Sequence, residues 1–119
     1  MFEINHQIWH IKFVPPYNAI LRRSDGSITV GVADNATRTI YLSNSLYGNF
    51  LKKVICHEIT HAAMFAYDVE LSLDKEELLA DLIATYGEEI INITNTLFRR
   101  IKGNYWINSF PFFVLYTPV

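Results

Sequence analysis

The residues in this chain best suited to chemistry are two histidines four positions apart with a glutamate directly after the first, in the run His57-Glu58-Ile59-Thr60-His61. On an α-helix, side chains four apart lie one above the other, about 5 to 6 Å apart at their Cβ atoms, so both imidazoles can face one point. That point suits a zinc ion, which binds imidazole nitrogen at about 2.0 to 2.1 Å and keeps one position open for water in catalytic sites. Glu58 is offset by about 100° around the helix and would stand beside the metal, where it can act as a general base toward water.

The segment around this motif must be a helix for the motif to work. The apolar pattern from Asn49 to Tyr67 predicts one buried helix. A chance match to the motif in a chain of 119 residues has a probability of about one per cent or less. Because buried polar side chains need partners, we interpret His57 and His61 as metal ligands rather than as core histidines bonded to the backbone.

A zinc ion held by two histidines lacks one protein ligand, and a second predicted helix, from Lys75 to about Arg100, offers candidates. Glu77 and Asp81 are four residues apart and share one face of it. We predict Glu77 as the third ligand and Asp81 as the acceptor of the free ring N–H of a ligand histidine. Glu76 is the main alternative ligand, and Glu77 could instead complete a capping box with Asp74 as the N-cap.

Three β-strands are predicted before the first helix, at Gln7 to Val14, Ile28 to Ala33 and Arg38 to Leu42. Asp34 to Thr37 would join the last two as a hairpin. Gly31, inside the second strand, indicates either the close approach of another backbone, such as an extended substrate, or a simple bulge. The predicted fold class is therefore α+β, with a small three-stranded sheet packed on the motif helix and a second long helix.

Composition limits the classes of protein that this chain can belong to. Its 119 residues fit a single domain, and half of them are apolar while only 18% are charged. The net charge of -2 gives no basic surface for nucleic acid or an anionic membrane, and no apolar run is long enough for a transmembrane helix. The lone Cys56, interpreted as a small buried apolar residue, and a start without a basic signal-peptide region predict a cytoplasmic location.

The last seventeen residues, 103 to 119, form an aromatic C-terminal tail with six Phe, Tyr or Trp side chains. An exposed surface of that kind marks a contact site. We expect the tail to pack either on the domain's own sheet or against a second subunit, which would make the protein a homo-oligomer.

The two motifs together resemble a known family. His57-Glu58-x-x-His61 followed by Glu77-x-x-Ala80-Asp81 is similar to the gluzincin arrangement, and especially to the small ImmA/IrrE-like metallopeptidases of phages and mobile elements. The resemblance covers about residues 28 to 86. It implies a minimal zincin-like fold and a zinc-dependent endopeptidase that cuts a protein or peptide substrate, often a regulatory protein such as a repressor.

Two points stay open at the level of sequence. A peptidase needs a donor to the oxyanion of its tetrahedral intermediate, and Tyr47, Tyr67 and Tyr86 are candidates that the sequence does not rank. The alternative function is a catalytically silent zincin scaffold that acts as a protein-binding or inhibitor module. A metal site closed by four protein ligands would favour that alternative.

Overall fold

A computed structural model describes residues 1 to 103, so the aromatic tail lies outside the described residues apart from Gly103. The helices and strands occur in the order β1 (Phe2–Ile4), β2 (Gln7–Val14), β3 (Gly31–Asp34), β4 (Thr39–Ser43), α1 (Gly48–Ala66) and α2 (Leu73–Gly103), with a 3₁₀ turn at Ala19–Leu21 between β2 and β3. This confirms the α+β class and both helices.

The sheet has four strands in the order β1-β2-β4-β3, so the prediction of three strands was one too few. The additional strand, β1, pairs antiparallel with β2 through a two-residue turn at Asn5 and His6. Both turn residues have positive φ, 46° and 63°, as a type I′ hairpin turn requires. Asparagine tolerates that region, but the glycine that usually signals such a turn is missing, so residue types alone do not reveal this turn.

The other strand pairs follow the predicted hairpin. β3 lies antiparallel to β4, and the Asp34 carboxylate stabilises their turn by accepting from the Ala36 N–H at 3.1 Å and the Thr37 hydroxyl at 2.8 Å. β2 runs parallel to β4 on its other side. β3 begins later than predicted because Thr29 donates its N–H to the Leu21 carbonyl, in the 3₁₀ turn, at 2.8 Å. β3 is thus an edge strand of the described sheet.

Helix α1 packs across the sheet over β3 and β4. The core between them consists of Trp9, Ile40, Leu42, Val54 and Ala62, all buried. Burial of aliphatic and aromatic side chains contributes about 1.5 to 3 kcal/mol for each one removed from water. The sheet and α1 therefore form one packed layer pair that holds the motif helix in place.

The backbone of β3 lies close to α1 at Gly31. A Cβ atom at this position would lie 3.0 Å from both Glu58 Cγ and Val54 Cγ1, and 3.3 Å from a Glu58 carboxylate oxygen. The β3 register is regular across Gly31, with Gly31 opposite Leu42, so the glycine does not mark a bulge. It is required because the motif helix approaches the strand backbone here.

Helix α2 crosses a division in the chain. Contacts within the chain divide it into two compact units, Met1–Tyr86 and Gly87–Val119. The sheet, α1 and the first part of α2 belong to the first unit, and the prediction of one domain over residues 1–119 stays a prediction. No helix within residues 1 to 103 is long and apolar enough to cross a membrane.

We predict that Gly31→Ala destabilises the protein by about 1 to 3 kcal/mol, the usual cost of overpacking a tight contact, because the added methyl group must displace the Glu58 and Val54 side chains. Thermal unfolding of both variants measures this. Gly103→Ala is the control, since its Cβ would meet no atom of residues 1 to 103 within 4 Å. Equal melting temperatures for Gly31→Ala and the parent would contradict the close approach of α1.

Candidate metal centre

His57 and His61 lie one turn apart on α1 and turn their rings toward each other. Their Nε2 atoms are 3.1 Å apart, and the ring planes meet at 63°. His61 is buried and His57 is half-buried. The i, i+4 spacing thus brings two imidazole nitrogens to one point, as the helix geometry predicts.

Glu77, near the start of α2, reaches the same point. Its carboxylate oxygens lie 3.0 Å from His61 Nε2 and 3.3 Å from His57 Nε2. In a tetrahedral zinc site with ligands at about 2.0 to 2.1 Å, neighbouring donor atoms are about 3.3 Å apart. The three separations are close to that value, so the group His57, His61 and Glu77 is close enough to bind a metal ion.

The second nitrogen of each ring meets a different carboxylate of α2. His61 Nδ1 lies 2.7 Å from Glu76 Oε1, and His57 Nδ1 lies 3.0 Å from Asp81 Oδ1. A carboxylate accepts the proton of Nδ1 and thereby leaves the Nε2 lone pair for a metal. Both contacts favour the tautomer with its proton on Nδ1, which is the one that a metal ligand needs.

Glu76 and Asp81 have the positions that the sequence left uncertain. Glu76 was the alternative third ligand, yet it contacts the ring nitrogen of His61 that faces away from the shared point. Asp81 has the predicted contact with a ligand histidine. α2 runs antiparallel to α1, so Glu76 lies beside His61 and Asp81 lies beside His57. Two carboxylates at nearly the spacing of the two histidines could therefore have identified Glu76 as a partner of His61.

The capping alternative for Glu77 is wrong, because Asp74 does not cap the helix. α2 begins at Leu73 and Asp74 is in its first turn. Ser72 precedes the helix, with its hydroxyl 3.4 Å from the Lys75 N–H and its carbonyl accepting from the Glu76 N–H at 2.9 Å. Glu77 is therefore one turn inside the helix, with its carboxylate toward the histidines rather than on the helix end.

Glu58 is buried beside the histidines but outside the group of metal-binding atoms. Its Oε2 lies 4.0 Å from His57 Nε2, and the Ala33 backbone N–H faces its carboxylate and acts to lower its pKa slightly. Burial raises the pKa of Glu58 above the ordinary carboxyl value, and the charges of His57 and His61 offset this only partly. Strand β3 thus holds a carboxylate that can accept a proton next to the metal-binding atoms.

The group opens into a cleft of about 610 Å³ between β3, α1 and the first turns of α2. Its walls combine the site residues with apolar side chains of all three elements, including Val30, Val32, Phe50, Phe65 and Leu73. None of the three candidate tyrosines is among the described residues that line it, and Tyr47, Tyr67 and Tyr86 are 82%, 59% and 53% exposed. Their proposed role toward an oxyanion has no support from their positions.

We predict that Glu77→Ala lowers zinc binding more than Glu76→Ala does. The first change removes an atom of the metal-binding group, whereas loss of a residue that orients a ligand typically costs about 10- to 100-fold in metal affinity. Zinc content after dialysis against a competing chelator measures the difference, with exposed Glu3 changed to alanine as the control. Equal zinc occupancy in the Glu76 and Glu77 variants would contradict the assignment.

No protein-family model, curated protein or solved structure matches this chain. The resemblance to the gluzincins therefore stays a prediction from the two motifs.

Proposed function

We propose that this protein is a zinc-dependent endopeptidase that hydrolyses a peptide bond of a protein or peptide substrate. The observation that carries the proposal is the combination of three converging donor atoms, on His57, His61 and Glu77, with a separate buried carboxylate, Glu58, beside them. A structural zinc site uses four protein ligands, whereas a catalytic one uses three and leaves a position open. Among residues 1 to 103, the metal-binding group has three members and faces a cleft.

Zinc is the ion that this donor set favours. Two imidazole nitrogens and one carboxylate are a ligand set of known zinc hydrolases, and the donor separations of 3.0 to 3.3 Å suit a small tetrahedral ion. When bound, zinc supplies Lewis acidity, which polarises a substrate carbonyl and lowers the pKa of water. We infer that Glu76 and Asp81 keep both imidazoles oriented toward it.

Glu58 carries the proton transfers in this mechanism. Its carboxylate accepts a proton from the attacking water and returns that proton to the nitrogen of the leaving amine, so the peptide bond is replaced by an acid and an amine. The Ala33 N–H faces the carboxylate, and the absence of a side chain at Gly31 leaves room for it. Both contacts come from β3, which supports a role for this strand in orienting the base.

Strand β3 also supports the binding of an extended peptide. Ser43 donates its N–H to the Val30 carbonyl at 2.9 Å, so in the alternating pattern of an antiparallel pair Val30 and Val32 bond to β4. The backbone groups of Gly31 and Ala33 then point away from β4. The Gly31 carbonyl accepts from the Thr29 hydroxyl at 3.2 Å and the Ala33 N–H faces Glu58, so the Gly31 N–H and the Ala33 carbonyl are the groups that a peptide would use. An extended chain can add to such an edge by main-chain hydrogen bonds, which would carry it past His57 and Glu58 along the cleft.

The proposal predicts different effects for two neighbouring changes on α1. Glu58→Gln should retain zinc and the fold, since the amide keeps the shape and can still accept from the Ala33 N–H, but should lose peptidase activity by at least about a hundredfold. His61→Ala should lose zinc, together with the stability that metal binding supplies. Zinc content, thermal unfolding and cleavage of a quenched-fluorescence peptide library measure these effects.

Exposed His10, on β2 away from the metal-binding group, is the matched control for a histidine change, and His10→Ala should resemble the parent. Full activity in Glu58→Gln would show that the proposed base is wrong. A parent protein that holds zinc in an open site and cleaves no peptide would instead favour the silent scaffold.

A further inference from the structure

The charged side chains that line the cleft are of two kinds: those that contact His57 or His61, and those that do not. Four are carboxylates, and each has a contact with His57 or His61: Glu58, Glu76, Glu77 and Asp81. Two are cations, Arg23 and Lys53. Neither cation makes an ion pair within the described residues, and Arg23 lies near the exposed Asp25. The cleft therefore holds positive charge that the proposed chemistry does not use.

Both cations belong to the same end of the cleft. Lys53 lies one helical turn before His57 on α1. Gly31 approaches Val54 and Glu58, and the Ala33 N–H faces Glu58, so β3 runs alongside α1 in the same direction. The residues before Gly31 consequently lie toward the first turns of α1, where Lys53 is.

Arg23 is tied to that segment by backbone hydrogen bonds. Its N–H donates to the Ser27 carbonyl at 2.7 Å, and Thr29 donates to the Leu21 carbonyl at 2.8 Å, which forms a short hairpin that leads into β3. At the other end of the cleft, α2 begins with Leu73, and Glu76 lies beside His61. The cations thus lie toward the first turns of α1, while the carboxylates of α2 extend from the His61 end of the cleft to Asp81 beside His57.

We propose that the end of the cleft lined by Arg23 and Lys53 is a subsite for an acidic side chain of the substrate. This inference rests on the proposed peptidase function and names the substrate class: peptides with Glu or Asp on one side of the bond that is cut. Phe50 and Val30 line the same cleft and would contact the methylene groups of a glutamate. Complementary charge at an exposed site selects partners more than it adds affinity.

The test uses short peptides of alanine and leucine with one variable residue, which is Glu, Gln or Lys. The variable residue is placed in turn at each position on either side of the cleaved bond. With the zinc-loaded protein, Glu should exceed Gln in kcat/KM by about three- to tenfold, on one side only, because exposed ion pairs are individually weak. The preference should fall as salt is added. Lys53→Gln and Arg23→Gln should each reduce it, and the double variant should remove it.

Lys52→Gln is the matched control, because Lys52 has the same charge and the adjacent position on α1 but does not line the cleft. It should leave the preference unchanged. If Lys53 instead assisted every substrate alike, Lys53→Gln would lower kcat for the Glu and Gln peptides equally and leave their ratio intact. That result would overturn the subsite.

Binding separates a failure of this inference from a failure of the proposed function. Fluorescence anisotropy of the same peptides with the Glu58→Gln variant needs no turnover. Cleavage without a preference for Glu would overturn the subsite and leave the peptidase standing. If the Glu peptides bind more tightly, the preference is lost in Lys53→Gln and Arg23→Gln, and the parent cuts nothing, the subsite stands and the peptidase function is overturned. If neither binding nor cleavage prefers Glu, the subsite is overturned.

Discussion

The imidazole rings of His57 and His61 face each other one turn apart on α1. Each of their four ring nitrogens needs a hydrogen-bond or metal partner, and this requirement determines which side chains surround them. His57 and His61 are too little exposed for water to satisfy them freely, and unpaired buried polar groups are costly. Helix α2 meets this need with carboxylates placed along one face, which contact both Nδ1 atoms and the shared Nε2 point. Ala80 is the buried residue of α2 among those described, so polar contacts carry much of its attachment to α1.

Those carboxylates give the site an excess of negative charge. Glu58, Glu76, Glu77 and Asp81 all approach the two histidines, and carboxylates brought close together repel one another unless protons or a cation intervene. A divalent ion at the point shared by Nε2 and Glu77 would relieve this repulsion. Metal binding is then linked to the stability of the contact between α1 and α2, since an ion bound only by the folded arrangement stabilises that arrangement.

The proposed base and the proposed ligands are positioned by different parts of the fold. α2 provides Glu77, the third member of the candidate metal-binding group, whereas β3 provides the Ala33 N–H that faces Glu58 and the Gly31 backbone that makes room for it. α1 carries both the histidines and Glu58, and its packing over the Trp9 and Leu42 core keeps them in register with the sheet. The cleft lies where these three elements meet, so a peptide bound as proposed would reach all of them.

From the sequence alone, features that depend on local periodicity could be derived: the α+β class, the bounds of β2, the motif helix to within a residue at each end, and the shared face of Glu77 and Asp81. Helical spacing is a property of the chain itself. Only the tertiary structure decided which nitrogen each carboxylate meets, that α1 is the neighbour of Gly31, and that the candidate tyrosines lie away from the cleft. These features depend on the direction and rotation of one helix or strand relative to another, which the residue pattern of a single helix or strand does not encode. The strand β1 was missed for a local reason, because its turn at Asn5 and His6 contains no glycine.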